Sequence, residues 1–182
     1  MTDATPAEPL PPLVVDAMML HHFAKADRLD VLGACVSTMS TTHVVATEVD
    51  KYTNAYPSLR SITDLEWLRI LSLDTDEELL AFVTWVDLLG AGEHNLGEAS
   101  VFAAAEIHRL IAITDDRDAT KVGRTRGLEV HGTVWLLTRL HRLGKMTLVE
   151  ISGHVDALRH TGMRLPCTGR DLCRWARERG LL

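Results

Sequence analysis

Four acidic residues of this sequence stand where a carboxylate is able to bind a metal ion: Asp16, Glu48, Glu98 and Asp116. Asp16 directly follows three apolar residues, 13–15, that have the character of a buried strand. A carboxylate in such a place loses solvation and persists only when it is paired or metal-bound. Several carboxylates at one place repel one another unless a cation neutralises them. Oxygen ligands without His or Cys favour Mg²⁺ or Mn²⁺ over Zn²⁺.

The chemistry that follows from such a set is phosphodiester hydrolysis. A carboxylate-bound Mg²⁺ lowers the pKa of a bound water and holds a phosphodiester for in-line attack. No protein nucleophile is then needed, and the sequence has no convincing Ser-His-Asp or Cys-His signature. Glu48 or Glu98 alone is better explained as a residue that stabilises a helix N-terminus than as a catalytic residue. The prediction therefore depends on the four carboxylates converging.

Short apolar segments alternate with helical patterns along the chain, and this alternation predicts the fold class. Ser61 and Asp64 have capping-box spacing, as do Thr147 and Glu150. Strands are predicted over 13–15, 43–45, 111–113 and 128–130, and helices over 18–23, 29–33, 61–71, 77–89, 98–110, 118–126, 132–144, 147–160 and 168–179. The pattern indicates an α/β protein with a short central parallel sheet flanked by helices.

The same pattern predicts where the site lies. In open parallel sheets, ligands bind beyond the carboxyl ends of the strands, near a topological switch point. Asp16 and Asp116 each follow a predicted strand, whereas Glu48 and Glu98 are expected near helix starts. We expect residues 13–182 to form a single domain preceded by a disordered lead-in at 1–12, because that segment is proline-rich and acidic.

The charge distribution and the cysteine spacing indicate the kind of partner and the cellular compartment to expect. The net charge is −6, but residues 1–114 carry −11 and residues 115–182 carry +5, so the C-terminal part is able to present a basic surface to phosphates. Cys35, Cys167 and Cys173 have neither disulfide nor zinc spacing, which favours free thiols in a reducing compartment. With no secretion signal and no membrane-length apolar stretch, a cytoplasmic location is expected.

Several short motifs occur in the order found in one nuclease family. The chain resembles the PIN-domain nucleases, and within them the VapC-like toxins and their close relatives, from residue 14 to about residue 144. The resemblance is carried by Val14-Val15-Asp16, Ala46-Thr47-Glu48-Val49, Leu96-Gly97-Glu98-Ala99-Ser100, Ile113-Thr114-Asp115-Asp116-Arg117 and Gly127-Leu128-Glu129-Val130-His131-Gly132-Thr133.

This resemblance implies a three-layer α/β/α PIN-like fold and a Mg²⁺- or Mn²⁺-dependent endoribonuclease that acts on RNA. It implies a homodimer and a toxin that a cognate antitoxin inhibits. It also assigns roles to residues: Asp115 assists the metal ligands, and the hydroxyl of Thr114 braces the last acid. One departure is Met18, which stands where the family often has Ser or Thr. The ligands that the resemblance implies are Asp16, Glu48, Glu98 and Asp116.

Two alternatives remain open at this stage. One is a PIN-like module that binds RNA or protein without cutting. The departure from the family pattern at Met18 is compatible with this interpretation. The other is a metal-dependent nuclease or phosphatase with a different substrate, because carboxylates by themselves do not distinguish RNA from DNA or from phosphomonoesters.

Basic and aromatic residues supply further candidates. Arg117, Lys121 and Arg124 follow Asp116 at helical spacing and are candidates for holding substrate phosphates. A second candidate surface for RNA or a partner lies on one face of the last predicted helix and comprises Arg170, Arg174 and Arg177. A solvated helix face explains each of the two basic sets equally well. Core or dimer packing is expected of Met18, Met19, Phe23 and the four tryptophans, Trp67, Trp85, Trp135 and Trp175.

Overall fold

The structure is a computed structural model that describes residues 11–35, 39–56, 59, 62–90, 92 and 95–182. Most of the predicted lead-in and Ser61 of the first predicted capping box lie outside the described residues. Pro11 and Pro12, the last two residues of that lead-in, have no regular secondary structure. Within these ranges, no helix is both long enough and apolar enough to cross a bilayer.

In the described part of the chain, five parallel strands form the central sheet in the order β3-β2-β1-β4-β5. Val14 of β1 pairs with Ser40 of β2 on one side and with Ala112 of β4 on the other. The strands are β1 (Leu13–Val15), β2 (Met39–Thr42), β3 (Leu68–Leu71), β4 (Ile111–Ile113) and β5 (Val130–His131).

Helices flank this sheet and complete the predicted three-layer α/β/α architecture. The Ala-rich face of α5 is buried against the three central strands β1, β2 and β4. The α-helices in the described residues are α1 (Ala17–Lys25), α2 (Leu29–Cys35), α3 (His43–Asp50), α4 (Asp76–Leu89), α5 (Leu96–His108), α6 (Arg117–Thr125), α7 (Thr133–Arg142), α8 (Leu148–His160) and α9 (Leu172–Arg177).

The second strand lies earlier in the chain than predicted. Residues 43–45 begin helix α3, whose N-cap Thr42 accepts a hydrogen bond from the Val45 amide at 3.2 Å. Polar residues of β2 are buried because their hydroxyls have partners in the core: Thr41 donates to the Val15 carbonyl at 2.8 Å, and Thr42 bonds Ser100 at 2.6 Å. An apolar-pattern criterion therefore misses this strand. Glu48 consequently lies late in α3 rather than at a helix start.

The helix predicted over 61–71 is also wrong. The segment contains a short 3₁₀ helix, Ile62–Asp64, followed by edge strand β3. Leu68 and Leu71 are buried at the two ends of that strand, and Leu68 is paired with Met39 of β2. Their spacing of three residues fits a helical face equally well, so only the pairing with β2 decides the conformation.

One local prediction in the second half of the chain is confirmed. Thr147 and Glu150 form a reciprocal capping box at the start of α8. Gly127 has a φ of +89°, the left-handed conformation expected of a glycine just beyond a helix. Sequence signals for helix ends worked here because these ends are determined by local backbone geometry.

The strand order defines the position of the site. From β1 the chain proceeds through β2 to β3 on one side, and then returns to β4 and β5 on the other side of β1. The carboxyl ends of β1 and β4 therefore flank the topological switch point. Asp16 follows the first of these strands, and Thr114, Asp115 and Asp116 follow the second.

Candidate functional site

Asp16 is the most buried of the predicted site residues. It is 2% exposed and is the N-cap of α1, where its Oδ1 accepts a hydrogen bond from the Met19 amide at 2.8 Å. Burial raises the pKa of Asp16 to about 7, against hydrogen bonds from Thr114 and Met19 that lower it; the negative charges of Asp115 and Glu98 raise it further. The protein therefore holds a carboxylate in a place that disfavours its charge.

Thr114 connects the ends of β1 and β4. Its hydroxyl is hydrogen-bonded to the Asp16 carboxylate, and its Oγ1 accepts a hydrogen bond from the Asp116 amide at 3.2 Å. The residue is 1% exposed, so both contacts are shielded from solvent. The hydroxyl thus contacts the backbone of the last acid and the carboxylate of the first one.

Asp116 and Asp115 are adjacent in sequence but have different surroundings. Asp116 is exposed and caps α6, with Oδ1 accepting from the Ala119 amide at 2.7 Å. Asp115 accepts from the Thr133 amide at 3.1 Å and from the Thr133 hydroxyl at 2.6 Å, and so supplies the cap that Gly132 lacks at the start of α7. Burial raises the pKa of Asp115, and the bonds from Thr133 oppose this rise.

Glu98 and the Glu48 carboxylate both lie at the N-terminal end of helix α5. Glu98 lies in the first turn of α5, as predicted, and is close enough to Asp16 to raise its pKa. Glu48 lies behind it: a Cβ atom added at Gly97 would be only 2.7 Å from Glu48 Oε2. The absence of a side chain at Gly97 therefore gives the Glu48 carboxylate its place beside the start of α5.

These residues surround an acidic pocket of about 270 Å³ at the switch point. Four carboxylates line it, together with Met18 and His22 of α1 and the segment from Gly162 to Arg164. Glu48 is not in that lining. The carboxylates are those of Asp16, Glu98, Asp115 and Asp116.

The donor set has the chemistry of a site for a hard divalent cation, although it is not preassembled. Within the described ranges, no three His, Cys, Asp or Glu side chains stand together as a metal site. The N-cap bonds of Asp16 and Asp116 each use one acceptor position of a carboxylate that has about four. Acceptor capacity therefore remains, and an ion would have to draw the carboxylates closer together.

The basic residues predicted after Asp116 lie on α6, but they are not equivalent. Arg117 and Arg124 line a second cavity beside the acidic pocket, whereas Lys121 does not. Arg124 also donates to the Val130 carbonyl, from Nε at 3.0 Å and from Nη2 at 2.6 Å, so part of its hydrogen-bonding capacity holds α6 to β5. The predicted basic set on the last helix does not line either cavity: Arg170, Arg174 and Arg177 are exposed, and Arg170 precedes α9.

Predictions for large apolar residues were partly right. Met19, Phe23 and Trp85 are buried in the core. Met18 is 47% exposed and faces the acidic pocket, so its assignment to the core was wrong. Trp135 and Trp175 pack against the core and also line the second cavity.

The sequence patterns missed the wall that the C-terminal region adds to the pocket. The His22 ring nitrogen Nδ1 lies 2.7 Å from the Thr161 hydroxyl, which fixes the segment 161–164 over α1. Arg164 lines both the acidic pocket and the second cavity. Arg164 belongs to an irregular segment whose sequence has no helical or strand periodicity. The local sequence signal in that segment is Gly162, a glycine that adopts a φ of +95°.

The fold and the pocket define the class: a three-layer α/β/α domain that collects carboxylates at the switch point of a short parallel sheet. The sequence model of the PIN domain family matches residues 12–169, and the chain belongs to this family. PIN domains are generally nucleases, so the family is one of hydrolases that act on nucleic acid. Among curated proteins, none gives a significant match to the sequence.

Proposed function

We propose that this protein is a Mg²⁺- or Mn²⁺-dependent endoribonuclease. The observation that carries the proposal is the buried carboxylate of Asp16, which faces the like charges of Glu98 and Asp115 at the switch point. A fold gains no stability from such repulsion, so we infer that a cation neutralises the three groups in the working protein.

The proposed ligands are Asp16, Glu98 and Asp116, with Glu48 completing the acidic set from beside Gly97. Bound there, the ion would supply an activated water and charge stabilisation at the scissile phosphate. Within the chain itself, Thr114 orients Asp16 and Asp116. Asp115 holds the start of α7 in place and contributes negative charge.

The test is cleavage of a fluorescent single-stranded RNA in the presence of Mg²⁺ or Mn²⁺. Asp16→Asn keeps a capping acceptor but removes the charge, so we expect a loss of at least about a hundredfold in the rate. Asp118→Asn is the matched control, because Asp118 is an exposed acid in the first turn of α6, the helix that Asp116 caps, and lines neither cavity. Full activity in Asp16→Asn would refute the assignment.

The same assay separates the alternative functions. A module that binds without cutting would show RNA binding but neither Mn²⁺ binding by calorimetry nor Asp16-dependent cleavage. A DNA nuclease or a phosphatase would prefer single-stranded DNA or a phosphomonoester over the RNA in parallel reactions.

We further propose that the protein is the toxin of a toxin–antitoxin pair, with a cognate antitoxin as its partner. Support comes from the order of the acidic motifs, which resembles the VapC-like toxins. Induced expression should then arrest growth in an Asp16-dependent manner. Co-expression of a small neighbouring gene should relieve the arrest, and no arrest at high expression would argue against the toxin role.

Three further proposals concern the state of the protein. We propose a homodimer, which is supported by the exposed apolar side chains Leu79, Leu80 and Val83 on α4. Light scattering tests it by comparing the molar mass of the wild type with that of Leu80→Glu.

A single domain over 13–182 is supported by a continuous core that runs from Leu13 to Leu172. A cytoplasmic location is supported by the free thiols of Cys167 and Cys173.

A further inference from the structure

The second cavity lies directly against the acidic pocket. It has a volume of about 430 Å³, within the size range of small-molecule and nucleotide sites. Asp115 and Arg164 line both cavities, so an occupant of one lies beside the occupant of the other. We call it the tryptophan cleft; its defining residues are Trp135, Trp175, Arg117, Arg164 and Arg179.

Two tryptophans from different parts of the chain form its aromatic walls. Trp135 is on α7, where the His131 ring stacks on it with centroids 3.9 Å apart and planes 3° from parallel. Trp175 is on α9, and the Arg179 guanidinium lies 4.4 Å from its ring centroid. Each contact covers one face of its indole ring and holds the ring in place. The part of each ring that lines the cavity is an aromatic surface of the kind that stacks nucleic-acid bases.

Cationic side chains accompany the aromatic ones. Arg117 and Arg164 are exposed and form no ion pair with any carboxylate in the described part of the chain. Arg164 stands at the junction of the two cavities. A phosphate there would have guanidinium on one side and the proposed metal site on the other.

The combination of aromatic walls and cations favours one class of ligand. An acidic peptide needs the cations but not the tryptophans, whereas a nucleotide uses both. A base that is paired in a duplex has its edge and both faces occupied, so only an unpaired base is free to enter a cleft between α7 and α9. Trp175 and Arg179 lie beyond residue 169, where the match to the PIN domain family ends.

We propose that the tryptophan cleft binds the unpaired nucleotide next to the scissile phosphate, with its base against Trp135 and Trp175 and its phosphate on Arg164. The proposal rests on the proposed nuclease function for the identity of the neighbouring site. It makes the protein selective for single-stranded RNA and assigns part of that selectivity to the C-terminal segment.

The test is equilibrium binding of a labelled single-stranded RNA decamer to the full-length protein in EDTA, so that no cleavage takes place. Trp175→Leu should weaken binding by about fivefold or more without changing the salt dependence. Arg164→Ala should weaken it similarly and reduce the slope of log K against log salt by about 0.7. Trp67→Leu and Arg142→Ala are matched controls that should change affinity less than twofold, because neither residue lines the cleft.

A second readout guards against misfolding of the variants. RNA stacked on the cleft should quench tryptophan fluorescence in the wild type and in Trp67→Leu, and the quench should be smaller in Trp175→Leu. Unchanged affinity in both Trp175→Leu and Arg164→Ala would overturn the proposal. Displacement of the RNA by poly-glutamate as effectively as by unlabelled RNA, together with an unchanged affinity in Trp175→Leu, would instead assign the cleft to an acidic peptide and also overturn it.

Failure of the nuclease assignment gives a different result. If Asp16→Asn leaves cleavage intact, or no cleavage is found, the binding measurements in EDTA still show whether the tryptophan cleft binds RNA. Conversely, metal-dependent cleavage with no effect of either Trp175→Leu or Arg164→Ala on RNA affinity would support the nuclease function and overturn the proposal for the cleft.

Discussion

The Glu48 carboxylate occupies the space where a side chain at Gly97 would lie. An added Cβ there would be 2.7 Å from Glu48 Oε2 and 3.9 Å from Val45 Cγ2. Gly97 is in the first turn of α5, directly before Glu98. The position of Glu48 beside the start of α5 therefore depends on a glycine that no helix propensity would favour at this place.

Gly97→Ala tests whether this close approach matters for the site. A methyl group would push the flexible end of Glu48 away, while the alanine would favour the helix. We expect normal thermal stability but Mn²⁺ affinity reduced by about 10–100-fold, measured by calorimetry. Gly153→Ala in α8 is the matched control, since nothing lies within 4 Å of a Cβ there. Equal Mn²⁺ affinity in the two variants would exclude Glu48 from the metal site.

Asp16→Asn should stabilise the protein when no metal is present. At pH 8 the wild type keeps a buried negative charge beside Asp115 and Glu98, and asparagine removes that charge while still capping α1. We expect an increase of about 1–3 kcal/mol in the free energy of unfolding in EDTA, measured by urea denaturation. Asp116→Asn, at an exposed position, should give no such increase. Destabilisation by Asp16→Asn in EDTA would mean that the charge has a partner within the fold.

Asp115→Ala should destabilise the protein for a local reason. The substitution removes the acceptor for the Thr133 amide and hydroxyl at the start of α7. Loss of an N-cap costs about 1–2 kcal/mol, and urea denaturation in EDTA measures it. Asp118→Ala on α6 is the control, and a loss of stability equal to that of the control would show that Asp115 does not support α7.

Acidification should weaken the attachment of the segment 161–164. Burial lowers the pKa of His22 to about 4, with further lowering by the charges of His21 and Lys25, whereas in an unfolded chain the pKa is about 6.5. The unfolded state therefore binds the proton first, so stability is full above pH 6.5 and falls as the pH drops toward 4. We expect a loss of about 1–3 kcal/mol over this range.

His22→Gln should remove that part of the pH dependence, since glutamine does not titrate. Denaturation curves at pH 7 and pH 4.5 for the wild type and the variant measure it, with His43→Gln at an exposed position as the control. A pH dependence that is unchanged by His22→Gln would assign the loss of stability to other groups.

Local sequence signals predicted most of the elements that surround the switch point. The apolar run before Asp16 and the run before Thr114 are β1 and β4, because short buried strands need little except continuous apolar residues. Polar strand β2 could not be predicted this way, since the hydroxyls of Thr41 and Thr42 are buried through hydrogen bonds to Val15 and Ser100, which belong to other elements. Glu98 and Glu48 were both predicted near helix starts. Glu98 does lie in the first turn of α5, whereas Glu48 lies late in α3.

By itself, the sequence determined the identity of the acids, the parallel α/β class and the motif order that resembles PIN domains. These features depend on residue type and short-range periodicity, both of which are read directly from the sequence. Only the tertiary structure decided that Asp16 faces Asp115 and Glu98, that Gly97 makes room for Glu48, and that Arg164 and Trp175 form a wall of the cleft. Such contacts join residues far apart in sequence, and the distance between them is set by packing that no local pattern encodes.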